Sequence, residues 1–291
     1  MKSINLFCFG FGQVAKSFVN KLSSKNFKIN LSTTSRDKTC QKKINNISYN
    51  NYKLDGDRFD LKFIEELKQS DHILTSIPPI NGTDIVIKNF SKIIKKCNSK
   101  WITYLSATSV YGNHNGEWVD EQSEVHPTSK NGKDRLIAEK DWMSLSHEEK
   151  MPIQIFRLSG IYSSKNSPLA RLKSGNASII KKTNHFFSRI HIDDIANILF
   201  KSLSSFKSKE IYNISDDKPA SSEEVMLYAV KILNVPKPKR INVEGIQSEM
   251  LRNFYKDSKK VSNNKMKKFF DYDLKFPTYV EGLNNIRDNL T

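Results

Sequence analysis

The strongest constraint on this sequence is its rhythm. Short apolar, strand-like runs alternate with helix-like stretches: INLFCFG (4–10), VAKSFVNKLSS (14–24), FKINLSTTS (27–35), FDLKFIEELKQ (59–69), HILTSIP (72–78), IVIKNFSKIIKKC (85–97), WITYLSAT (101–108), KNGKDRLIAEKDWMSL (130–145) and PIQIFRLSGIY (152–162). Within 59–69, Phe59, Phe63, Ile64 and Leu67 fall on one helical face. Alternation at this spacing predicts βαβ units and a parallel sheet covered by helices on both faces. Right-handed crossovers then make a doubly wound sheet the simplest topology.

The rhythm changes after Gly160. RIHIDDIANILFKSL (189–203) reads as a loop entering a helix, EIYNIS (210–215) as one more strand, and SSEEVMLYAVKILN (221–234) as a helix that Ser222 could cap. The expected organisation is a Rossmann-type domain over 1–160, completed by about 187–215. A smaller substrate-binding domain takes 161–186 and 216–291.

The first crossover carries G-x-G-x-x-A at Gly10, Gly12 and Ala15. Gly10 can supply unusual dihedrals at the strand end, and a side chain at position 12 would intrude on a diphosphate. Ala15 lets helix meet strand, and the amides of 14–24 face the phosphates. Such a turn predicts a dinucleotide site that includes Phe11, Gln13 and Val14. The second strand ends in Thr-Thr-Ser35-Arg36, with no acid where a free ribose 2′-hydroxyl would want one. A guanidinium suits a 2′-phosphate, so NADP is favoured over NAD, an exposed loop arginine being the alternative. Ser76, Ile77 and Pro78 end the strand expected to border the nicotinamide ribose.

YLSATSVYGNHNGEWVDE (104–121), RLIAE (135–139), FRLSGIY (156–162), SRIHIDDIANIL (188–199) and YNISDDKP (212–219) together resemble the extended short-chain dehydrogenase/reductase superfamily, of the NAD-dependent epimerase/dehydratase type. The G-x-G-x-x-A turn departs from the usual G-x-x-G-x-x-G and is similar to the atypical branch. The resemblance implies an oxidoreductase or epimerase-like activity on a small substrate, sugar derivatives being the class it suggests. It also implies a Ser or Thr, a Tyr and a Lys as catalytic groups, with the Lys lowering the Tyr pKa. Aligned on SVYG, the hydroxyl position falls on Ala107, between Ser106 and Thr108. Aligned on RLIAE, the Tyr position falls on Asn131 and the Lys position on Arg135. An amide does not exchange a proton at neutral pH, and Arg135 could hold a ribose or phosphate but not deprotonate. Any proton donor would therefore be non-standard. Thr108, Tyr111 and His114 are the catalytic candidates, and Ser106 and Arg135 join the cofactor set. The competing reading is a non-catalytic NADP(H)-binding sensor or partner-binding protein.

Other residues have plainer readings. His191 is expected to be a hydrogen-bonded structural histidine, Asp193 and Asp194 to cap the following helix, and Glu117, Asp120 and Glu121 to form an acidic surface loop. Arg252, Tyr255 and Lys259 are either solvated surface or contacts for an anionic substrate. Cys8, Cys40 and Cys97 form no CxxC pair, which argues against a zinc site and a disulfide framework. The formal charge of +16 comes from lysines scattered along the chain. Even the densest run, KDSKKVSNNKMKK (256–268), reads first as a solvated helical surface rather than an anion-binding one. No nucleic-acid or membrane partner is expected, no run of about 18 apolar residues exists, and a cytoplasmic monomer or homodimer is anticipated.

Overall fold

The computed structural model describes residues 2–246, Arg252 and 255–290. The chain divides into two compact units, one of 1–107, 133–157 and 195–212, the other of 108–132, 158–194 and 213–291.

The first unit is built on a sheet of nine strands. Its leading elements are β1 (Ser3–Phe9), α1 (Gln13–Ser24), β2 (Lys28–Ser35), β3 (Cys40–Ile44), β4 (Ile47–Asp55), β5 (Arg58–Phe59), α2 (Phe63–Lys68), β6 (His72–Thr75), α3 (Ile85–Ile94) and β7 (Trp101–Ala107). They are followed by α4 (Lys130–Glu148) and β9 (Ile153–Leu158), while the short β8 (Trp118–Val119), between β7 and α4 in the chain, belongs to the second unit. β13 (Glu210–Ile214) closes one end of the sheet, whose order is β13-β9-β7-β6-β1-β2-β4-β3, with β5 beside β4. β1 pairs parallel with β2 and β6, β2 with β4, and β6 with β7. β3 and β5 run antiparallel to β4.

The chain thus leaves β1 in one direction to build β2 and β4, then returns to its other side for β6 and β7. That reversal is the switch point at whose carboxyl edge ligands bind in open α/β sheets. Register fixes it: Cys8 lies opposite Thr33 on one side and Leu74 on the other. On one face Phe7, Phe9, Phe63 and Phe90, all fully buried, form the core, with Phe9 and Phe90 stacked at 5.5 Å. On the other, Phe18 of α1 stacks on Trp101.

Two departures from the sequence reading stand out. Residues 40–55, read as no element, form an antiparallel hairpin, so β4 reaches its place beside β2 through β3 instead of a helix. Residues 59–69, read as one helix, begin as β5, and α2 is confined to Phe63–Lys68.

The second unit contains β10 (Gly160–Tyr162), α5 (Pro168–Lys173), β11 (Ile179–Lys181), β12 (Arg189–His191), α7 (Ser222–Leu233), β14 (Arg240–Asn242) and β15 (Lys260–Val261). Two terminal helices, Asn264–Phe270 and Tyr279–Asp288, complete it, and α6 (Ile192–Lys201) runs from this unit into the first. Its strands pair in twos: β10 with β12, β11 with β14, and β15 with β8. Leu169, Val225, Ala229, Leu283 and Ile286 make its main apolar core. The run 152–162, read as one strand, is divided into β9 and β10, because the chain changes partner there: Ser159 N–H still bonds Ile214 O beside β13, whereas Gly160 N–H bonds Ser188 O and begins the pairing with β12. The lysine-rich run 256–268 is not one solvated helix: β15 interrupts it and Lys259 and Met266 are buried. Among the described residues no helix is long and apolar enough to cross a membrane.

Candidate functional site

At the carboxyl end of β1 the chain turns at Gly10, whose φ is +83°, a region that L side chains avoid. A Cβ there would meet Ser76 Oγ at 2.8 Å and Ile77 Cγ1 at 3.1 Å. Two side chains brace the turn. Thr34 Oγ1, at the end of β2, accepts from Gly10 N–H at 3.1 Å, and Ser76 Oγ, after β6, donates toward the carbonyls of Phe9 and Gly10. Ser76, expected to face a ribose, therefore holds the turn from the β6 side, with its amide also bound to Phe9 O at 2.9 Å. Thr34 carried no motif, and only the parallel pairing of β1 with β2 brings it to position 10.

Gly12 differs in kind. Its φ of −81° and ψ of −167° suit any residue, and a Cβ on it would have no atom within 4 Å. Among the described residues nothing demands glycine there. Gly12 is also the N-cap of α1, which has no side-chain cap and no acid in its first turn. Gln13 is exposed, Val14 is buried, and Ala15, buried at 1% exposure, seats the helix on the sheet. Helix amides that no side chain caps, beside an open space where Cβ is missing, fit a diphosphate group.

Phe11 packs its ring against Tyr49 at 5.0 Å and lies under Lys16. Ser35 Oγ accepts from Asp37 N–H and Asn51 Nδ2, shaping the end of β2. Arg36 is exposed there and makes no ion pair with a described residue. The neighbouring acid, Asp37, is tied to Lys42 at 2.7 Å, and that lysine's hydrogen bond and charge hold its carboxyl below the ordinary aspartate range. That leaves Arg36 and Lys38 as the charges without a carboxylate partner among the described residues at the end of β2. Two buried hydroxyls at neighbouring strand ends, Thr75 Oγ1 and Ser106 Oγ, have no hydrogen-bond partner among the described residues. Ile77 is half-buried and Pro78 exposed. Arg135, half-buried on α4, donates from Nη1 to Leu105 O at 3.1 Å.

The proposed chemical residues lie in the second unit. Thr108 and Tyr111 bound a single 3-10 turn. Tyr111 is fully buried and donates its hydroxyl to Asn213 Oδ1 at 2.8 Å. His114 is half-buried, with Nε2 3.1 Å from Tyr111 O. Asn131 is exposed on α4. His191 is buried, and its Nδ1 accepts from Asp193 N–H at 3.2 Å.

The aspartates expected to cap the next helix do something else. Asp194 sits inside the first turn of α6 and accepts from Tyr272 Oη and from the amides of Lys275 and Phe276, while Asp193 pairs with Lys275. Glu121 is not simply surface, since it accepts from Asn213 N–H at 2.7 Å and burial raises its pKa. Tyr255 and Lys259 are buried rather than solvated. Lys259 Nζ donates to Gly112 O at 2.8 Å, and burial lowers its pKa. Tyr255 forms the wall of a cavity of about 560 Å³ whose other lining includes Lys181, Lys182, Arg252, Lys256 and Glu244. Among the described residues no three His, Cys, Asp or Glu side chains gather as a metal site would require.

Strand order and the glycine turn at its switch point define a doubly wound, Rossmann-type α/β fold. No family model and no curated protein matches the sequence. Among solved structures, the chain is similar to a functionally unknown conserved protein from Silicibacter pomeroyi DSS, with 28% identity, a TM-score of 0.85 and 99% of each chain covered. It is also similar to the UDP-glucuronic acid 4-epimerase of Bacillus cereus in complex with NAD, at 16% identity, TM-score 0.75 and 99% of both chains. A third is human epimerase family protein SDR39U1, isoform 2, with NADPH, at 15% identity, TM-score 0.71 and 100% of both chains.

Proposed function

We propose that this chain binds a nicotinamide dinucleotide, NADP(H) in preference to NAD(H), at the Gly10–Gly12 turn. We assign it to the atypical extended short-chain dehydrogenase/reductases, acting as an oxidoreductase or epimerase-like enzyme on a small sugar-derived substrate. One observation carries the reading: Gly12 has no structural need to be glycine, and it stands at an uncapped helix start on the sheet's switch point. The Bacillus cereus and human structures, with NAD and NADPH respectively, support it.

Gln13 and Val14 would offer amides to the diphosphate, and Arg36 would meet a 2′-phosphate with a charge no carboxylate cancels. The bound nicotinamide would supply hydride chemistry. Arg135 would steady a ribose or phosphate through the guanidinium atoms not used on Leu105. The basic cavity walled by Tyr255 suits an anionic sugar derivative. A second reading, a non-catalytic NADP(H)-binding sensor, draws support from Tyr111, whose hydroxyl is spent on Asn213 in the interior. Thr108 and His114 are then the remaining proton-handling candidates.

A thermal-shift comparison of NADP, NADPH, NAD and NADH tests the binding claim. Ligand at about a hundred times its dissociation constant adds roughly 2.7 kcal/mol of stability. Arg36→Asp should reverse the preference for phosphorylated nucleotides, and Gly12→Val should abolish binding of all four. If Gly12→Val binds as the parent does, the site is elsewhere. If binding is sound but no panel of nucleotide sugars or hydroxyl compounds changes the nicotinamide absorbance, the sensor reading stands.

A further inference from the structure

The second unit holds another cavity, of about 570 Å³, whose lining includes Trp118, Asp120, Asp217, Asn263, Asn264 and Lys267. Three features of it are independent of the nucleotide turn.

The first is an exposed indole. Trp101 and Trp142 are buried at 1% and 0% exposure, whereas Trp118 is 56% exposed. The backbone forces this. β8 is locked to β15 by Lys260 N–H to Glu117 O and Ser262 N–H to Val119 O, and Val119 is buried at 2%. Neighbouring strand residues point to opposite faces, so the strand that buries Val119 leaves Trp118 exposed, and both residues line the cavity.

The second is a fixed set of polar groups. Asn263, only 6% exposed, spends its Nδ2 on Ser215 O at 2.9 Å and Asp217 Oδ1 at 2.7 Å, so its amide is held in place. Asp217 in turn accepts from Lys267 Nζ at 2.7 Å, which fixes the ammonium while leaving it further protons to donate.

The third is charge. Among the described lining residues Asp120 and Asp217 face a single cation, Lys267, while the third carboxyl, Asp216, is buried and kept protonated by desolvation, in a chain whose net charge is +16. This is the opposite balance to the lysine-rich cavity by Tyr255.

A flat apolar ring beside positioned donors and acceptors matches a pyranose, whose C–H face is apolar and whose hydroxyls both give and take hydrogen bonds. With Lys267 already paired to Asp217, the carboxylate left over at the cavity is Asp120, and it disfavours uronates and sugar phosphates. We propose that this cavity is a binding site for a neutral hexopyranoside, stacked on Trp118 and hydrogen-bonded by Lys267 and Asn263. The proposal does not depend on nucleotide binding.

Trp118 is its own reporter, because the other two indoles are inside. The full chain is titrated with methyl β-glucopyranoside and methyl β-galactopyranoside while tryptophan emission is followed, with glucuronate and tetramethylammonium as contrasts. At least one neutral glycoside should give a saturable change with a midpoint on the order of millimolar, a binding free energy of about −4 kcal/mol. Glucuronate should give none. Lys267→Gln should raise that midpoint roughly fivefold or more. Trp118→Ala should remove the glycoside's saturation-transfer signal in NMR, a readout that survives if the lysine variant folds poorly. No saturable response to either neutral glycoside overturns the proposal. So does an equal response to glucuronate, a response to tetramethylammonium alone, or an unchanged midpoint in Lys267→Gln.

Discussion

At the residue scale, the two glycines of one motif do different work, and their substitutions should separate it. Gly10 is required by the protein: its φ is +83° and a Cβ would sit 2.8 Å from Ser76 Oγ. Gly10→Ala should therefore destabilise the fold by about 1–3 kcal/mol, read from urea denaturation midpoints with nucleotide absent. Gly12→Val, in ordinary backbone space with open surroundings, should cost no more than about 1 kcal/mol, the price of a poorer helix cap. A Gly12→Val loss as large as that of Gly10→Ala would mean that Gly12 is structural and would take away the observation on which nucleotide binding rests. Both glycines were legible in the sequence because one spacing encodes both roles. The braces were not. Thr34 and Ser76 lie 24 and 66 residues from Gly10, and only sheet pairing brings them to it. Nor could the chain alone reveal that Asp37 is neutralised by Lys42, since that pair forms across the bend into β3.

Among elements, what the sequence displayed and what it hid follow from how apolar side chains are spaced. β1, β6 and β7 read clearly because they are buried on both faces and nearly continuous in apolar residues. β3 and β4 did not, because QKKINNISYNNYKLD is polar and its buried positions, Tyr49, Asn51, Tyr52 and Leu54, include an asparagine and break strict alternation. A usable signal was present in the Asn45–Asn46 turn. Asn45 takes φ of +51° between the facing residues Ile44 and Ile47, the left-handed conformation that asparagine tolerates in tight hairpins. Helix starts were legible only to within a residue. Ser221, not Ser222, caps α7, its hydroxyl accepting from Glu224 N–H at 3.0 Å. Ser221→Ala should then lower stability by about 1 kcal/mol in chemical denaturation. Ser221→Thr, which keeps a hydroxyl at the cap, should retain most of the stability that alanine loses, and a silent alanine variant would show that the cap contributes nothing.

For the molecule as a whole, acid should be the revealing variable, because the second unit buries two imidazoles. His185 and His191 are 2% and 4% exposed, and each is pushed from 6.5 down to about 4. Burial is the main cause in both. Lys182 adds to it at His185 and Lys275 at His191, while Asp193 pulls His191 the other way. The unfolded chain therefore takes up protons below 6.5 that the folded chain refuses until about 4. Stability gained from keeping these rings neutral is complete above pH 6.5 and is lost as pH falls toward 4, on the order of 2 kcal/mol per ring. Asp216 acts in the opposite sense. It is buried at 1% exposure with its pKa raised well above 3.8 by desolvation, so its folded form keeps a proton that the unfolded chain releases. Its contribution falls as pH rises above 3.8, which partly masks the histidines in the parent protein. Asp216→Asn removes the mask, and its urea midpoint should drop more steeply between pH 6.5 and 4 than the parent's. His191→Asn, whose side chain can still accept from Asp193 N–H, should flatten the same stretch. If the two variants and the parent trace parallel curves across that interval, neither the histidines nor Asp216 governs the acid limb, and the exposed carboxylates do.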